Sequence, residues 1–302
     1  MIKLEIITIE DSRYPEQLRK IKNPPQQLYA KGNIELLKTN IISIIGSRAC
    51  SKNGIKLARH FSKELVYQKI TIASGMAVGI DTIAHKTTLQ EKGKTIAVLG
   101  NGFKNIFPTE NIGLYQEIID NNGLVITEYP PKEKAKSKNF IERNRIVSGL
   151  ALGILVIEAT YRSGTSVTAR LAKQQGRRVF AVPHEIDDIH GVGTNRLIRK
   201  GAKIVTNTED IIKEFSFLEY KVPPKDKKMK IQTHINSQRK ICKNEDCNEI
   251  YQLVTEEPIS INEIKQKSNK TITDINNILL MLEIEDYIEK VAGGYVCILD
   301  KK

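Results

Sequence analysis

Short apolar runs alternate with segments of helical spacing from residue 41 to about residue 215, and this alternation constrains the fold more than any other feature. The runs are IISII, ITIAS, TIAVL, GLVITE, GILVIE, RRVFAV and KIVT, beginning at residues 41, 70, 95, 123, 153, 177 and 203. Strands without polar alternation are buried on both faces, as in a parallel sheet covered by helices. The pattern predicts an α/β fold with a Rossmann-like, doubly wound, mostly parallel sheet over residues 41–218.

The turns after the predicted strands are rich in glycine and serine. They read GSR at 46–48, SGMAVG at 74–79, NGFKNIFP at 101–108 and YRSGT at 161–165. In doubly wound sheets, ligands bind beyond the carboxyl ends of the strands. We therefore expect these turns to form the binding site.

The flanking segments differ in composition from this core. Residues 1–40 contain several prolines, which interrupt regular structure, and are interpreted as an N-terminal extension packed on the core. Residues 219–247 combine a proline pair, clustered lysines and few apolar residues, which favours a basic linker. A flexible tether that touches a polyanion is the alternative for this segment.

Residues 248–302 have a third pattern, with three helical segments followed by two short strands and Gly293-Gly294 between them. This order predicts a winged-helix domain. The third helical segment carries Asp274, Glu283, Glu285 and Asp286 and is poor in the basic residues that a major-groove reader needs. A contact with another protein is therefore favoured over sequence-specific DNA reading.

The net charge of +12 favours a polyanionic partner, although a lysine surplus also serves solubility. The acidic N-terminal segment does not resemble a secretory signal, and no apolar run approaches the ~20 residues of a membrane span. We expect a cytoplasmic protein without a membrane partner. Its four cysteines are scattered and lack a complete zinc-site spacing, so reduced thiols and no metal are expected.

The first candidate binding segment is Gly46-Ser47-Arg48, directly after the first predicted core strand. Gly46 permits close backbone approach, Ser47 supplies a hydroxyl, and the Arg48 guanidinium is suited to bidentate phosphate contact. The alternative is a simple glycine turn whose arginine pairs with a carboxylate. The position of this segment at the expected binding edge favours the phosphate site over the glycine turn.

The second segment runs from Ser74 and Gly75 to Asp81 and leads into a helix. No acidic residue follows the next strand where a ribose hydroxyl would need one, so no NAD binding and no other cofactor are predicted. Two interpretations of this segment stay equally open. Its glycines permit either tight packing of the strand against the helix or backbone contact with a phosphate or a base. Asp81 and His85 are four residues apart, but no nucleophile accompanies them, so no catalytic residue is assigned.

A third segment places basic charge around one aromatic residue. It contains Lys138, Phe140, Arg143, Asn144 and Arg145. Cations along a backbone path and a flat ring for base stacking, at about 1–3 kcal/mol per base, are what single-strand binding requires. The alternative is a charged helix flank with Phe140 in the core.

Two further helix openings suit phosphate through free N–H groups and hydroxyls. One is Ser163-Gly164-Thr165, which follows the strand ending at Glu158, and the other is Gly193-Thr194-Asn195. Ordinary N-capping by Ser163 and Thr194 is the structural alternative, and it is compatible with ligand binding.

These motifs together resemble the DNA-processing protein A family (DprA, also called Smf), and the likeness covers most of the chain. The matching segments are IIGSR at 44–48, ASGMAVGID at 73–81, RNR at 143–145 and the two glycine-rich helix openings. Two positions depart from the family pattern: Ile141 replaces a usual proline, and His184 replaces a usual glycine.

The resemblance implies a non-enzymatic protein that binds single-stranded DNA. Members protect incoming strands during natural transformation and recombination and load the recombinase RecA onto them. It also implies a homodimer, a DNA contact by the arginine that matches Arg48, and a small C-terminal winged-helix domain.

Two alternatives come from other functional classes. A nucleotide-processing phosphoribohydrolase also has a glycine-rich loop with a following glutamate, but YRSGTSVTAR lacks the paired glycines and the trailing carboxylate. A winged-helix transcription regulator would bind duplex DNA through residues 248–300, which the acidic third helical segment disfavours.

Overall fold

A nine-stranded sheet forms the centre of the larger of two units into which the chain divides, Met1–Pro223 and Pro224–Lys302. The computed structural model describes residues 3–161, 163–223, 245–255, 258–284, 287–291 and 294–297. Most of the predicted linker at 219–247 lies outside these ranges. So do Arg162, Cys242, Glu285, Asp286 and Gly293.

The strands of the large sheet are short and mostly buried. They are β1 Glu5–Thr8, β2 Gln27–Gly32, β3 Ile41–Ile45, β4 Thr71–Ser74, β5 Thr95–Val98, β6 Leu124–Thr127, β7 Gly153–Val156, β8 Arg178–Ala181 and β9 Lys203–Ile204. Their order is β1-β2-β6-β5-β4-β3-β7-β8-β9, and all neighbours from β6 to β9 are parallel. All seven strands predicted after residue 40 are present, and the predicted fold class is confirmed.

Eight helices accompany these strands in the described residues of the larger unit. They are α1 Glu16–Arg19, α2 Lys52–Tyr67, α3 Ile80–Gln90, α4 Ile112–Asp120, α5 Ser137–Leu150, α6 Gly164–Gln174, α7 Val192–Arg199 and α8 Glu209–Ile212. Short 3₁₀ turns occupy Ile34–Lys38 and Thr109–Asn111.

Helices cover both faces of the sheet. Ile42 and Ile44 of β3 pack with the apolar residues of α2 and α3, whereas Ile41 and Ile45 pack with those of α5 and α6. Successive strand residues point to opposite faces, so an unbroken apolar strand contributes to both cores. This explains why the strands lack polar alternation.

The N-terminal segment differs from the prediction because it contributes two strands. β1 and β2 are antiparallel, and β2 pairs antiparallel with β6. The prolines that suggested an irregular extension lie at 15, 24 and 25, between the two strands rather than within them.

The order of the strands determines where a ligand crevice can form. The chain proceeds from β3 outward through β4, β5 and β6, and then returns to the other side of β3 as β7. The loops that leave β3 and β7 therefore diverge, which opens a crevice at their carboxyl ends.

The second unit has its own core, formed by buried residues such as Ile250, Ile264 and Leu279. Its elements are α9 Glu245–Leu253, α10 Ile261–Lys267, α11 Ile272–Ile284, β10 Ile288–Val291 and β11 Gly294–Cys297. β10 and β11 are antiparallel. This is the predicted order of elements, and the winged-helix assignment itself stays a prediction. Across the described parts of both units, no helix is long and apolar enough to cross a membrane.

Candidate functional site

The loops after β3 and β4 pack against each other at the edge of the crevice. Gly79 has φ +83°, and a Cβ atom at this position would lie 2.6 Å from the carbonyl oxygen of Arg48. The backbone N–H of Ile80 donates to the carbonyl of Ser47 at 3.2 Å. Glycine at position 79 is therefore required both by its backbone conformation and by the close approach.

The N-terminus of α6 contacts the first of these loops. The hydroxyl of Thr165 donates to the carbonyl of Gly46 at 3.1 Å. Ser163 is the N-cap of the helix, and its hydroxyl accepts from the N–H of Ser166. The positive end of the helix dipole thus lies beside the loop that carries Arg48.

The buried Glu158 carboxylate fixes the far end of the loop after β3. It accepts hydrogen bonds from the N–H of Ser51, at 3.1 Å, and from the Ser51 hydroxyl. The same hydroxyl accepts from the N–H of Gly54 and so caps α2. Glu158 is therefore a positioning group for the loop between β3 and α2.

A second anchoring contact involves Arg143, which lies inside the protein with only 4% of its surface exposed. Its guanidinium donates to the carbonyls of Gly75, at 2.6 Å, and Val98. Burial lowers the pKa of Arg143 to about 10, opposed by the charge of Asp81 and reinforced by that of Arg48. Arg143 stays protonated at neutral pH and supports the loop after β4, and its contact with DNA stays a prediction.

The Asp81 carboxylate lies on the other side of this loop. It accepts from the N–H groups of Gly75, at 3.1 Å, and Ala77, at 3.3 Å. Burial raises the pKa of Asp81, and the nearby charge of Arg143 opposes this rise. The two buried charges together fix the loop that faces the crevice.

Aromatic rings form another wall of the site. The half-buried ring of Phe140 packs on Gly100 and lies 5.5 Å from that of Phe107, centroid to centroid. Phe107 is 47% exposed. Phe107 is not among the residues predicted for the site, although it belongs to one of the turns expected at the binding edge.

These elements enclose a cavity of about 740 Å³ at the crevice between the ends of β3 and β7. Ten of the predicted site residues line it: Gly46, Ser47, Arg48, Gly75, Phe140, Arg143, Asn144, Ser163, Gly164 and Thr165. Among the described residues of this lining, Arg48 is the exposed cation, because the other charged side chains, Arg143 and Asp81, are buried.

Six predicted residues lie outside this cavity, and their side chains or backbones make contacts within the protein. Lys138 pairs with Glu142, and Arg145 pairs with Glu128. The remaining four contact backbone groups: the Ser74 hydroxyl donates to Ile44, the Thr194 hydroxyl to Gly191, the Gly193 N–H to Ala159, and the Asn195 amide to His184. All six thus have contacts within the protein, and their assignment to DNA binding stays a prediction.

The two histidines considered in the sequence are also engaged in structural contacts. His85 is buried, its Nδ1 lies 2.6 Å from the hydroxyl of Thr95, and burial lowers its pKa to about 3. The His184 ring contacts Asp188 through Nδ1 and the Ile157 carbonyl through Nε2. Neither contact forms an acid/base dyad with Asp81.

Comparison with known proteins places this geometry in a family. The model of the family described as DNA recombination-mediator protein A matches residues 5–216. The X-ray structure of DNA processing protein A from Streptococcus pneumoniae is 43% identical, with a TM-score of 0.68, and the match covers 71% of this chain and 75% of that one.

Two further relatives agree. Protein Smf from Escherichia coli is 34% identical over 96% of this chain and 76% of its own length. A structure of DNA processing protein A from Helicobacter pylori, which concerns that protein's single-stranded DNA binding mode, is 30% identical, with a TM-score of 0.63. It covers 71% of this chain and 97% of that one. The chain belongs to the DNA recombination-mediator protein A family.

Proposed function

We propose that this protein is a non-enzymatic recombination mediator that binds single-stranded DNA in the cavity between the ends of β3 and β7. The observation that carries the proposal is the meeting of the exposed Arg48 with the N-terminus of α6 at this crevice. The H. pylori relative, whose structure concerns single-stranded DNA binding, supports the same ligand class.

Each wall of the cavity has a role in this proposal. The Arg48 guanidinium contacts a phosphate, and Ser47, Gly164 and Thr165 supply hydroxyl or backbone N–H donors. The exposed Phe107 and the half-buried Phe140 offer ring surface on which a base can stack, at about 1–3 kcal/mol per base.

The aromatic wall also explains a preference for single strands over duplex. The faces of paired bases are already stacked within a double helix, whereas an unpaired base can turn its face to a protein ring. Phosphate contacts alone do not distinguish the two forms in this way.

Chemical groups of the cavity argue against the phosphoribohydrolase alternative. In the part of the lining that the structure describes there is no histidine or cysteine, and its carboxylate, Asp81, accepts two backbone hydrogen bonds. General acid/base or nucleophilic chemistry needs a base within reach of the reacting group. The lining is thus suited to holding a strand rather than to cleaving one.

Family membership supports the rest of the proposal: the protein acts in the cytoplasm as a homodimer, protects incoming strands during natural transformation, and passes them to RecA. The test is RecA filament assembly on a single strand coated with single-strand-binding protein. We expect the wild-type protein to accelerate assembly and Arg48→Ala to do so poorly. Arg59→Ala, which removes an exposed arginine from α2 outside the cavity, is the matched control. Assembly that is unchanged by the wild-type protein would contradict the mediator role.

A further inference from the structure

A second and larger groove, of about 1140 Å³, runs between α6 and α7. It shares Ile141, Ser163 and Gly164 with the cavity described above, so the two openings adjoin at the N-terminus of α6. A chain-like ligand that occupies the cavity can therefore continue into the groove.

The groove is lined by seven basic side chains and one acidic side chain, Glu214. Three of the basic residues are engaged within the protein. Arg178 and Lys203 pair with Glu214 at 3.4 and 2.7 Å, and Arg177 donates to the carbonyls of Gln17 and Gly149. Local contacts account for these three cations.

The other four basic residues have no carboxylate partner in the described part of the chain. Arg170 and Lys173 are one turn apart on α6, and Arg196 lies in the last turn of α7, with Lys200 directly after that helix. Lys173 donates to the carbonyl of Lys200 at 3.2 Å, which holds the ends of the two helices together. Two cations thus stand on each wall of a groove along an α6 helix about 16 Å long.

Tyr161 marks the junction between the cavity and the groove. Its ring is 53% exposed, and the guanidinium of Arg196 lies 4.8 Å from the ring centroid. An aromatic ring beside a guanidinium is a pairing found where single strands are bound, because bases stack on the ring and phosphates approach the cation.

We propose that the groove between α6 and α7 is a second segment of the DNA path. It binds the phosphates of the strand that leaves the cavity, through Arg170, Lys173, Arg196 and Lys200. The inference rests on the proposed function. It adds the direction of the bound strand, which runs from Arg48 past Tyr161 and along α6. The junction with the cavity and the four cations that have no carboxylate partner among the described residues select a nucleic-acid strand as the occupant.

The test compares labelled oligothymidylates of about 6 and about 20 nucleotides, lengths near the limits of typical single-strand sites. The short strand fits the cavity, and the long one also reaches the groove. The double variant Arg170→Gln/Lys200→Gln removes one exposed cation from each wall. The control Arg59→Gln/Lys56→Gln removes the same charges from the exposed face of α2. All four positions are exposed, so the fold is expected to persist, and thermal melting checks this.

We expect the groove variant to bind the long strand about tenfold more weakly and the short strand as the wild type does. The slope of log affinity against log salt should fall by about 1.4 for the long strand, at about 0.7 per phosphate contact. Equal affinities of the groove and control variants for the long strand would overturn the inference. A wild-type protein that binds neither length would instead contradict the proposed function.

Discussion

Arg143 and Asp81 hold the two polar backbone groups of one residue, Gly75. The Arg143 guanidinium donates to its carbonyl at 2.6 Å, and the Asp81 carboxylate accepts from its N–H at 3.1 Å. A Cβ atom at position 75 would lie within 2.9 Å of both side chains. Two buried, oppositely charged groups therefore fix the loop after β4 at the floor of the cavity.

Replacing Arg143 by methionine is expected to lower the free energy of unfolding by about 3–5 kcal/mol. The change leaves Asp81 buried without its cation and removes the donor to two carbonyls. Urea denaturation measures the effect, and the exposed Lys138→Met is the control, with an expected change of about 0.5 kcal/mol or less. Unchanged stability together with lost DNA binding would show that Arg143 contacts the strand directly.

Glu158→Ala is expected to destabilise the protein by about 1–3 kcal/mol, because the N–H of Ser51 loses its buried acceptor. The loop between β3 and α2 should also become less ordered, which weakens strand binding. Glu142→Ala removes an exposed carboxylate from α5 and serves as the comparison. Denaturation curves that coincide for the two variants would contradict the positioning role of Glu158.

Gly79→Ala and Gly176→Ala compare a glycine that packs closely on another loop with a positive-φ glycine in open space. Both glycines have positive φ, +83° and +71°, which disfavours alanine. Gly79 also has ψ −131°, outside the left-handed helical region, so alanine is the more strained there. A Cβ atom at Gly79 would meet the carbonyls of Ser47 and Arg48, whereas one at Gly176 has nothing within 4 Å. We expect Gly79→Ala to be the more destabilising in thermal melts and to reduce strand binding, which Gly176→Ala leaves intact. Equal losses in both variants would refute the close-packing argument.

The buried His85 should make stability depend on pH. Its pKa falls from 6.5 to about 3 in the folded protein, mainly because burial disfavours the charged ring. The unfolded chain thus binds a proton that the folded one does not. The stability contributed by neutral His85 is complete above pH 6.5 and declines toward pH 3, by about 1.4 kcal/mol per pH unit.

The measurement is urea denaturation between pH 6.5 and about 4.5, where most carboxylates remain ionised, for the wild type and His85→Gln. The raised pKa of Asp81 contributes with the opposite sign in both proteins, so the difference between their slopes isolates His85. The variant should show a flatter dependence on pH. Parallel curves would contradict a neutral, buried His85.

The sequence predicted strands β3 to β9 because each derives from a short run of apolar residues. Such a run can be recognised as a strand without an alternation of polar and apolar positions. It did not predict β1 and β2, because the prolines between them obscured two short strands whose pairing depends on distant partners in β6. The confirmed part of the fold is thus the part that carries the crevice.

For the site, Arg143 and Arg145 were predicted alike as cations that bind DNA, because the basic composition of the segment was given more weight than its helical spacing. The spacing of Asn139, Arg143, Val147 and Leu150 places Arg143 on the buried face of α5, a signal that helical periodicity contains. The contact between Phe107 and Phe140 joins the loop after β5 to helix α5, which are distant in sequence, and no local pattern indicates it.

The most direct test of the account is fluorescence anisotropy with a labelled single strand and its duplex across a salt series. The wild type should prefer the single strand, and Arg48→Ala should bind it at least about tenfold more weakly, with a salt slope shallower by about 0.7. Arg59→Ala should match the wild type. Equal binding of duplex and single strand, or equal affinities of Arg48→Ala and Arg59→Ala, would contradict a strand site at the end of β3.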